Sequence, residues 1–185
     1  MLNTLFAMRL LYEQVNAILK NMETLLPTVA ETLKNFSIKY KVLECDPLLA
    51  DTAAFCEHYG FTPEQGANTI VVTSRKVEPV QYAVCVVLAS TRLDVNKKVC
   101  QLMGIKRASF ADSDTTRNLT GMEIGGVVAI GVPPELPIYI DAAVMTQPEV
   151  VMGGGNRSSK LVLSPQELLK LPGAQVVEDL AKEMA

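Results

Sequence analysis

Hydrophobic residues recur with a helical period through the first 35 residues of the chain. Their spacing alternates between three and four, which predicts one continuous apolar seam along a helix. The seam consists of Leu5, Met8, Tyr12, Val15, Leu19, Met22 and Leu26, and it is widened by Phe6, Leu10, Leu11, Ile18 and Leu25. Pro27 interrupts the pattern. Because so wide a stripe is typical of a packed helix, we expect it to pack on its own domain or on a partner.

From Ile38 onward, strand-like and helical patterns are intermixed. Segments that alternate or are rich in Val and Ile predict strands over residues 38–43, 69–74, 81–89, 126–130, 138–141, 150–152 and 161–163. Helices are predicted over residues 48–59, 94–103 and 112–119, and from Ser164-Pro165 onward. Their signals are capping residues such as Asp94, Asp112 and Ser164 at the start and glycines such as Gly60 and Gly104 at the end.

This order of elements has no regular strand–helix–strand period and no internal repeat. It favours an α+β domain built around a twisted mixed β-sheet with surrounding helices. We therefore predict an N-terminal helical segment over residues 1–35 and a single α+β domain over residues 36–185.

The hydrophobic content and net charge of the chain limit the classes of function that we expect for it. Nearly half of the 185 residues are hydrophobic, which is enough for a substantial core. The net charge of −3 argues against a large nucleic-acid-binding surface, but it is compatible with binding of a short RNA end. No apolar run is long enough to span a membrane and no secretion signal precedes the domain, so we expect a cytoplasmic protein without membrane partners.

Cysteine and histidine usage argues against a metal site. The four cysteines, Cys45, Cys56, Cys85 and Cys100, are widely spaced and look like reduced thiols. His58, the one histidine, stands where a helix is predicted to end before Gly60, and a cation there favours the helix dipole. We expect no metal and no cofactor, and we interpret His58 as structural rather than catalytic.

Two glycine-centred segments carry the candidate chemistry. They cover residues 120–131 and 153–168, and between them lies a strand-like run that ends in Asp141. Adjacent glycines mark either a plain turn or a place where the backbone offers unshielded N–H groups to a ligand. Spacing alone leaves both interpretations open.

Five pieces of the chain, in order, resemble the YbaK family, which comprises free-standing aminoacyl-tRNA deacylases and the editing domain of bacterial prolyl-tRNA synthetases. They are Gly60-Phe61-Thr62-Pro63-Glu64-Gln65, then Leu93-Asp94-Val95-Asn96-Lys97-Lys98-Val99 with Gly104, then Ala111-Asp112, then Thr120-Gly121-Met122-Glu123-Ile124-Gly125-Gly126, and finally Ile140-Asp141 with Gly153-Gly154-Gly155 and the ending over residues 161–168. The resemblance covers about two-thirds of the chain and leaves the N-terminal segment unexplained.

The resemblance implies an editing fold that receives the 3′ end of a mischarged tRNA and hydrolyses the ester between amino acid and ribose. In the family, the reaction is thought to rely on the substrate's own ribose hydroxyl and on a lysine at the start of the first buried strand. Glycine-turn N–H groups can stabilise the developing oxyanion without a metal. The implied partners are an aminoacyl-tRNA 3′ end and an aminoacyl-tRNA synthetase, and the N-terminal helix is a candidate for self-association.

The resemblance also assigns substrate-binding roles. Gly125 and Gly126 would approach the aminoacyl group, Thr120 and Gly121 would shape the entry, Asp141 would organise substrate or water, and Gly153 and Gly154 would line the opposite wall. The alternative for the glycines is backbone geometry alone, and for Asp141 it is capping or hairpin support.

The chain departs from the family at two positions. Asn68 stands where the family has its lysine, and Ala129 stands where a Gly-x-x-x-Pro motif would place proline after Gly125. An amide lacks the positive charge of an ammonium group, so no catalytic residue can be assigned from the sequence. Candidates that could replace the cation in space are Arg75, Lys76, Lys97 and Lys98.

Three functional hypotheses follow. The first is a trans-editing deacylase for a small or medium amino acid, and the second is a non-catalytic relative that binds an aminoacyl-tRNA end or an amino-acid-like ligand. The third is an interaction protein that acts through its N-terminal helix.

Overall fold

The structure is a computed structural model that describes residues 24–184 of the chain. Within these residues, α-helical segments lie at α1 Pro27–Asn35, α2 Thr52–Tyr59, α3 Cys100–Leu102, α4 Ser113–Thr120 and α5 Ala142–Met145. The strands are β1 Lys41–Glu44, β2 Ala67–Ser74, β3 Tyr82–Leu88, β4 Thr91–Leu93, β5 Ala108–Phe110, β6 Ile138–Asp141, β7 Val150–Gly153, β8 Ser159–Leu163, β9 Ala174–Val177 and β10 Ala181–Glu183. Two 3₁₀ helices at Pro47–Leu49 and Pro165–Lys170, and a π-helical turn at Val95–Val99 that leads into α3, complete these elements.

The strands form three sheets. A five-stranded mixed sheet has the order β5-β2-β3-β6-β9, in which β3, β6 and β9 are parallel and β2 is antiparallel to both of its neighbours. A three-stranded antiparallel sheet has the order β1-β8-β7, and β4 pairs with β10. A bridge between Gly66 and Val151 connects the start of β2 to β7. This confirms the predicted α+β fold around a mixed sheet.

Three apolar clusters occupy the faces of these sheets. Alternate residues of β3 point to opposite sides, so Val84 and Val86 join the main core while Cys85 and Val87 join a second cluster on the other face. The main core also takes residues from β7, β8 and α1. A third, smaller cluster places Phe55 of α2 against the outer face of the three-stranded sheet.

Helix α1 belongs to the main core. Its residues Val29 and Leu33 are fully buried there together with Leu25, and the Leu26 N–H donates to the Gly154 carbonyl. This part of the predicted N-terminal segment therefore packs on its own domain. The remaining seam residues, from Leu5 to Met22, lie outside the described residues, and so does the predicted self-association surface.

Local signals for helix ends match the structure. The Asp94 and Asp112 carboxylates accept the N–H groups of Lys97 and Thr115, as predicted for capping residues. Gly60 and Gly121 adopt the left-handed conformation that ends α2 and α4. Ser164 precedes a helix as predicted, but the helix is of 3₁₀ type, and the serine hydroxyl donates to the Gln166 side chain rather than capping it.

The strand predicted over residues 126–130 is wrong. This stretch follows a turn and is irregular but buried. Its polar groups find partners in loops, since the Gly126 carbonyl accepts from Gly155 N–H and Val128 N–H donates to the Met122 sulfur. A Val-rich run can thus be buried without a neighbouring strand.

Candidate functional site

A cavity of about 390 Å³ opens where the start of α2 faces the first half of β2. Residues 51–53 form one wall and residues 67–71 form another. Gly125 and Val127 come from the first glycine segment, and Gly153 and Lys160 come from the second. The structure therefore brings one part of each glycine segment to the same cavity, although β6 and α5 lie between the two segments in the chain.

Lys160 supplies a cation to this cavity and is only 3% exposed. It lies on β8, opposite Leu43 of β1 and Gly153 of β7. Its Nζ donates to the carbonyl oxygens of Ala50 and Gly125, the latter at 2.8 Å. An ammonium group has three N–H donors, so these two bonds leave one for a ligand.

Burial lowers the pKa of the Lys160 ammonium, while the nearby Cys45 and Asp51 side chains act in the opposite direction. The same ammonium lies 5.3 Å from the centre of the Phe55 ring, a distance typical of a cation–π contact. Two carbonyl dipoles and an aromatic face thus compensate in part for the loss of water around this charge.

Asn68 lines the same cavity, and its side chain is held in place. The Thr52 hydroxyl donates to Asn68 Oδ1 at 2.6 Å, so the amide NH₂ is left as the donating end of the side chain. Thr69, the next residue on β2, also lines the cavity, and its buried hydroxyl has no hydrogen-bond partner among residues 24–184. Both residues can therefore offer donors to a bound molecule.

Arg157 joins the two loops at the cavity rim. Its Nε donates to the Pro47 carbonyl at 3.0 Å, and its Nη1 donates to the Ile124 carbonyl at 2.8 Å. Nη1 also lies 3.3 Å from the Asp51 carboxylate. Arg157 and Lys160 together tie the loop before α2 to the first glycine segment, which fixes the width of the opening.

The predicted glycines divide into two groups. Gly125 and Gly153 line the cavity, and Gly125 adopts a positive φ of +89° that a side chain would strain. Gly126 and Gly154 lie outside the lining and allow close packing between loops, because a Cβ at Gly126 would overlap the Asn156 backbone and one at Gly154 would overlap the Ser159 side chain. Gly153 serves this packing as well, since a Cβ there would overlap the Gly126 carbonyl.

The other three predicted residues, Asp141, Thr120 and Gly121, also lie outside the cavity lining. Asp141 is 4% exposed, and its two carboxylate oxygens accept the N–H groups of Ala143 and Ala181. Thr120 donates to the Thr116 carbonyl and accepts from Met122 N–H, and Gly121 ends α4. The expectation that Asp141 faces the pocket is corrected by this geometry, because its carboxylate caps α5 and holds the start of β10.

The cations proposed to replace the family's lysine also lie elsewhere. Arg75, Lys76 and Lys97 are exposed, Lys98 is partly buried, and none of the four lines the cavity. Ala129 is buried in the main core.

Sequence reasoning missed Lys160, although its position on β8 carried a signal. Residues two apart on a strand share a face, so Lys160 shares the face of Val162, which is apolar and buried.

His58 lies exposed in the last turn of α2, as predicted, with its ring against Tyr59. Across residues 24–184, no group of three or more His, Cys, Asp or Glu side chains is placed to hold a metal ion. No helix in that range is long and apolar enough to cross a membrane.

Comparison with known proteins confirms the resemblance that the motif order predicts. The family model of the aminoacyl-tRNA editing domain matches residues 46–171. The chain is 29% identical over 130 residues to YwhH of Bacillus subtilis, an uncharacterised protein, with 66% of this chain and 82% of YwhH covered.

It is 27% identical over 138 residues to EbsC of Enterococcus faecalis, which is provisionally named a Cys-tRNA(Pro)/Cys-tRNA(Cys) deacylase, with 75% of this chain and 80% of EbsC covered. Among solved structures, a provisionally assigned trans-editing enzyme for prolyl-tRNA synthetase superimposes with a TM-score of 0.72. That protein is 29% identical, and the match covers 85% of this chain and 96% of its own.

Proposed function

Since the chain belongs to the aminoacyl-tRNA editing domain family, we propose that it is a trans-editing deacylase that hydrolyses the ester between an amino acid and the 3′ ribose of a mischarged tRNA. The observation that carries this proposal is the buried Lys160 ammonium in the cavity, with one N–H left for a ligand. It supplies the positive charge that Asn68 cannot provide.

In this mechanism, water adds to the ester carbonyl carbon, and the developing oxyanion accepts the remaining N–H of Lys160. The bond between the carbonyl carbon and the ribose oxygen then breaks, and a proton passes to that oxygen, which releases the free amino acid and the tRNA 3′ end. A fixed cation in a site shielded from water stabilises the oxyanion more strongly than a solvated one would. The Asn68 amide and the Thr69 hydroxyl orient the aminoacyl group.

The cavity favours a small or medium amino acid. Its volume of about 390 Å³ must hold the aminoacyl group and part of the terminal ribose. Ile70, Val71 and Val127 contribute apolar groups to its lining. By analogy with the provisional name of EbsC, Cys-tRNA(Pro) belongs among the first substrates to test. By analogy with the solved trans-editing protein, prolyl-tRNA synthetase in the cytoplasm is the expected partner enzyme.

A second candidate function is binding without turnover. Asn68 favours it, because the family's reaction leans on a lysine at that position. In this case the cavity would hold an aminoacyl-tRNA end or an amino-acid-like ligand, and Lys160 would neutralise its carbonyl or carboxylate group without promoting hydrolysis.

The test is hydrolysis of a panel of mischarged tRNAs, including Cys-tRNA(Pro), Ala-tRNA(Pro) and Ser-tRNA(Pro), by the purified full chain and by its Asn68→Lys variant. We expect the wild-type protein to release at least one amino acid well above the rate in buffer. Wild-type inactivity together with turnover by Asn68→Lys would contradict the deacylase and favour binding alone.

A further inference from the structure

Four exposed cations cluster at one end of the five-stranded sheet. Arg75 and Lys76 follow β2, and Lys106 and Arg107 precede β5. Because β2 and β5 are antiparallel, these ends meet: Ser74 pairs with Ala108, and Arg75 N–H donates to the Arg107 carbonyl at 2.9 Å. We call these four residues the β2–β5 basic cluster.

The cluster lacks acidic partners. Within residues 24–184, none of its four side chains forms an ion pair, and Arg75 Nη1 lies 3.4 Å from the Ser109 hydroxyl. Glu78 is the one acidic residue in the two connecting segments, 75–81 and 103–107. A chain with a net charge of −3 thus presents a local concentration of positive charge.

The strands that carry the cluster also form the cavity. Residues 67–71 of β2 line it, and so does Ala111, which directly follows β5. At ~3.3 Å per strand residue, Arg107 lies ~13 Å from Ala111 and Arg75 lies ~23 Å from Asn68. The cluster therefore lies a few nucleotides from the cavity along a single sheet edge.

Along β5, Phe110 lies between Arg107 of the cluster and Ala111 of the cavity lining, and it also borders a second cavity together with Asp94 and Lys182. It is the last residue of the edge strand β5, and 54% of its surface is exposed although it is a large aromatic side chain. Sites for single-stranded nucleic acid combine a positively charged track for the backbone with aromatic side chains on which bases stack. Phe110 and the β2–β5 basic cluster supply both elements on the strand that leads to Ala111 of the cavity lining.

We propose that the β2–β5 basic cluster is the docking surface for the phosphate backbone of the tRNA acceptor end, with Phe110 as a stacking platform for an unpaired base near the 3′ terminus. This inference deepens the proposed function and rests on it. Charge complementarity selects RNA as the partner, because guanidinium and ammonium groups without carboxylate partners bind phosphates and release counterions. The net negative charge elsewhere keeps binding confined to this edge.

The test measures binding of uncharged tRNA(Pro), so that it does not depend on hydrolysis. We expect Arg75→Gln/Arg107→Gln to weaken binding about tenfold or more near 0.1 M salt and to reduce the slope of log K against log salt by about one to two. Phe110→Ala should weaken binding about fivefold or more and leave that slope unchanged. The matched control is Lys34→Gln/Lys41→Gln, which removes two exposed cations from α1 and β1.

The control variant should stay within about twofold of wild type in affinity. Equal affinity of the Arg75/Arg107 variant and the control would overturn the inference, and so would an absence of tRNA binding by the wild-type protein. If tRNA binding depends on the cluster but no mischarged tRNA is hydrolysed, the proposed deacylase activity is contradicted while the docking surface is supported.

Discussion

Two buried charged side chains, Lys160 on β8 and Asp141 at the end of β6, show how differently a fold can use a buried charge. They are 3% and 4% exposed, and each makes two hydrogen bonds to the backbone. Both carboxylate oxygens of Asp141 accept an N–H group, and the residue borders no part of the cavity. Lys160 retains a donor and faces the cavity.

The difference teaches that burial of a charge does not by itself identify a site. Asp141 stabilises two chain segments, since its carboxylate caps α5 and fixes Ala181 at the start of β10. Lys160 also connects two loops, but it does so beside open volume in which a substrate can use its third N–H. Spare hydrogen-bonding capacity next to a cavity is what separates the two.

The largest effect that we expect is a loss of stability when Asp141 is replaced, which tests its structural role in this comparison. Asp141→Ala leaves the N–H groups of Ala143 and Ala181 without their acceptor, and we expect it to lower the free energy of unfolding by about 3 kcal/mol. Urea denaturation measures this change. The kcat/KM of the folded fraction should stay within about twofold of wild type. A variant as stable as wild type but defective in hydrolysis would return Asp141 to the site.

Substitution of Gly125, which lines the cavity, provides a second test through its effect on hydrolytic activity. A methyl group at Gly125 would overlap Arg157 Nη1 and would strain a backbone with φ of +89°, so Gly125→Ala should displace the cavity rim and lower kcat/KM about tenfold. Steady-state kinetics on the best substrate measures this loss.

Gly154→Ala is the matched control for Gly125→Ala. Its methyl group would press on Ser159 and Leu25 rather than on the cavity, so it should lower the melting temperature and leave kcat/KM nearly unchanged. Similar kinetic losses in both variants would mean that the two glycines do not differ in role.

Local and non-local features of this fold differ in how far the sequence predicts them. Helix caps at Asp94 and Asp112 and the glycine end at Gly60 follow from contacts within a few residues, and they were predicted correctly. The mixed sheet was also predicted, because Val-rich runs mark most of its strands.

The site itself depends on contacts between distant residues. Lys160 reaches Ala50 and Gly125 only because β8 lies between β1 and β7. No local sequence pattern specifies this strand order. Asp141 was interpreted as a pocket residue because its hydrogen-bond partner in β10 cannot be identified from the local sequence. Its partner Ala181 lies 40 residues away in the chain.

Thr69 offers a smaller test of the cavity. Its hydroxyl has no partner among residues 24–184, so Thr69→Val should not reduce the free energy of unfolding, whereas loss of a donor to the substrate should raise KM about threefold to tenfold. Thr69→Ser keeps the hydroxyl and should behave like wild type in the same kinetic assay. An unchanged KM in Thr69→Val would remove this residue from the substrate contacts.

The smallest expected effect is a dependence of stability on pH. Because burial lowers the pKa of Lys160, the folded protein loses this proton at a lower pH than the unfolded chain does. Between these two pKa values the unfolded state binds more protons, so the contribution of Lys160 to stability rises with pH. Urea denaturation of wild type and Lys160→Met at mildly and strongly alkaline pH should show wild type gaining relative to the variant. A relative loss would contradict the lowered pKa.

The most direct test of the account is the kcat/KM of Lys160→Met on the best mischarged tRNA, with exposed Lys34→Met as the matched control. Methionine keeps the length of the side chain and its packing on Phe55 while removing the charge and its N–H donors. If Lys160 stabilises the oxyanion, kcat/KM falls about 100-fold or more in a variant that remains folded by circular dichroism, and the Lys34 control is unaffected. A folded Lys160→Met protein within about threefold of wild type would contradict the assignment of Lys160 as the catalytic cation.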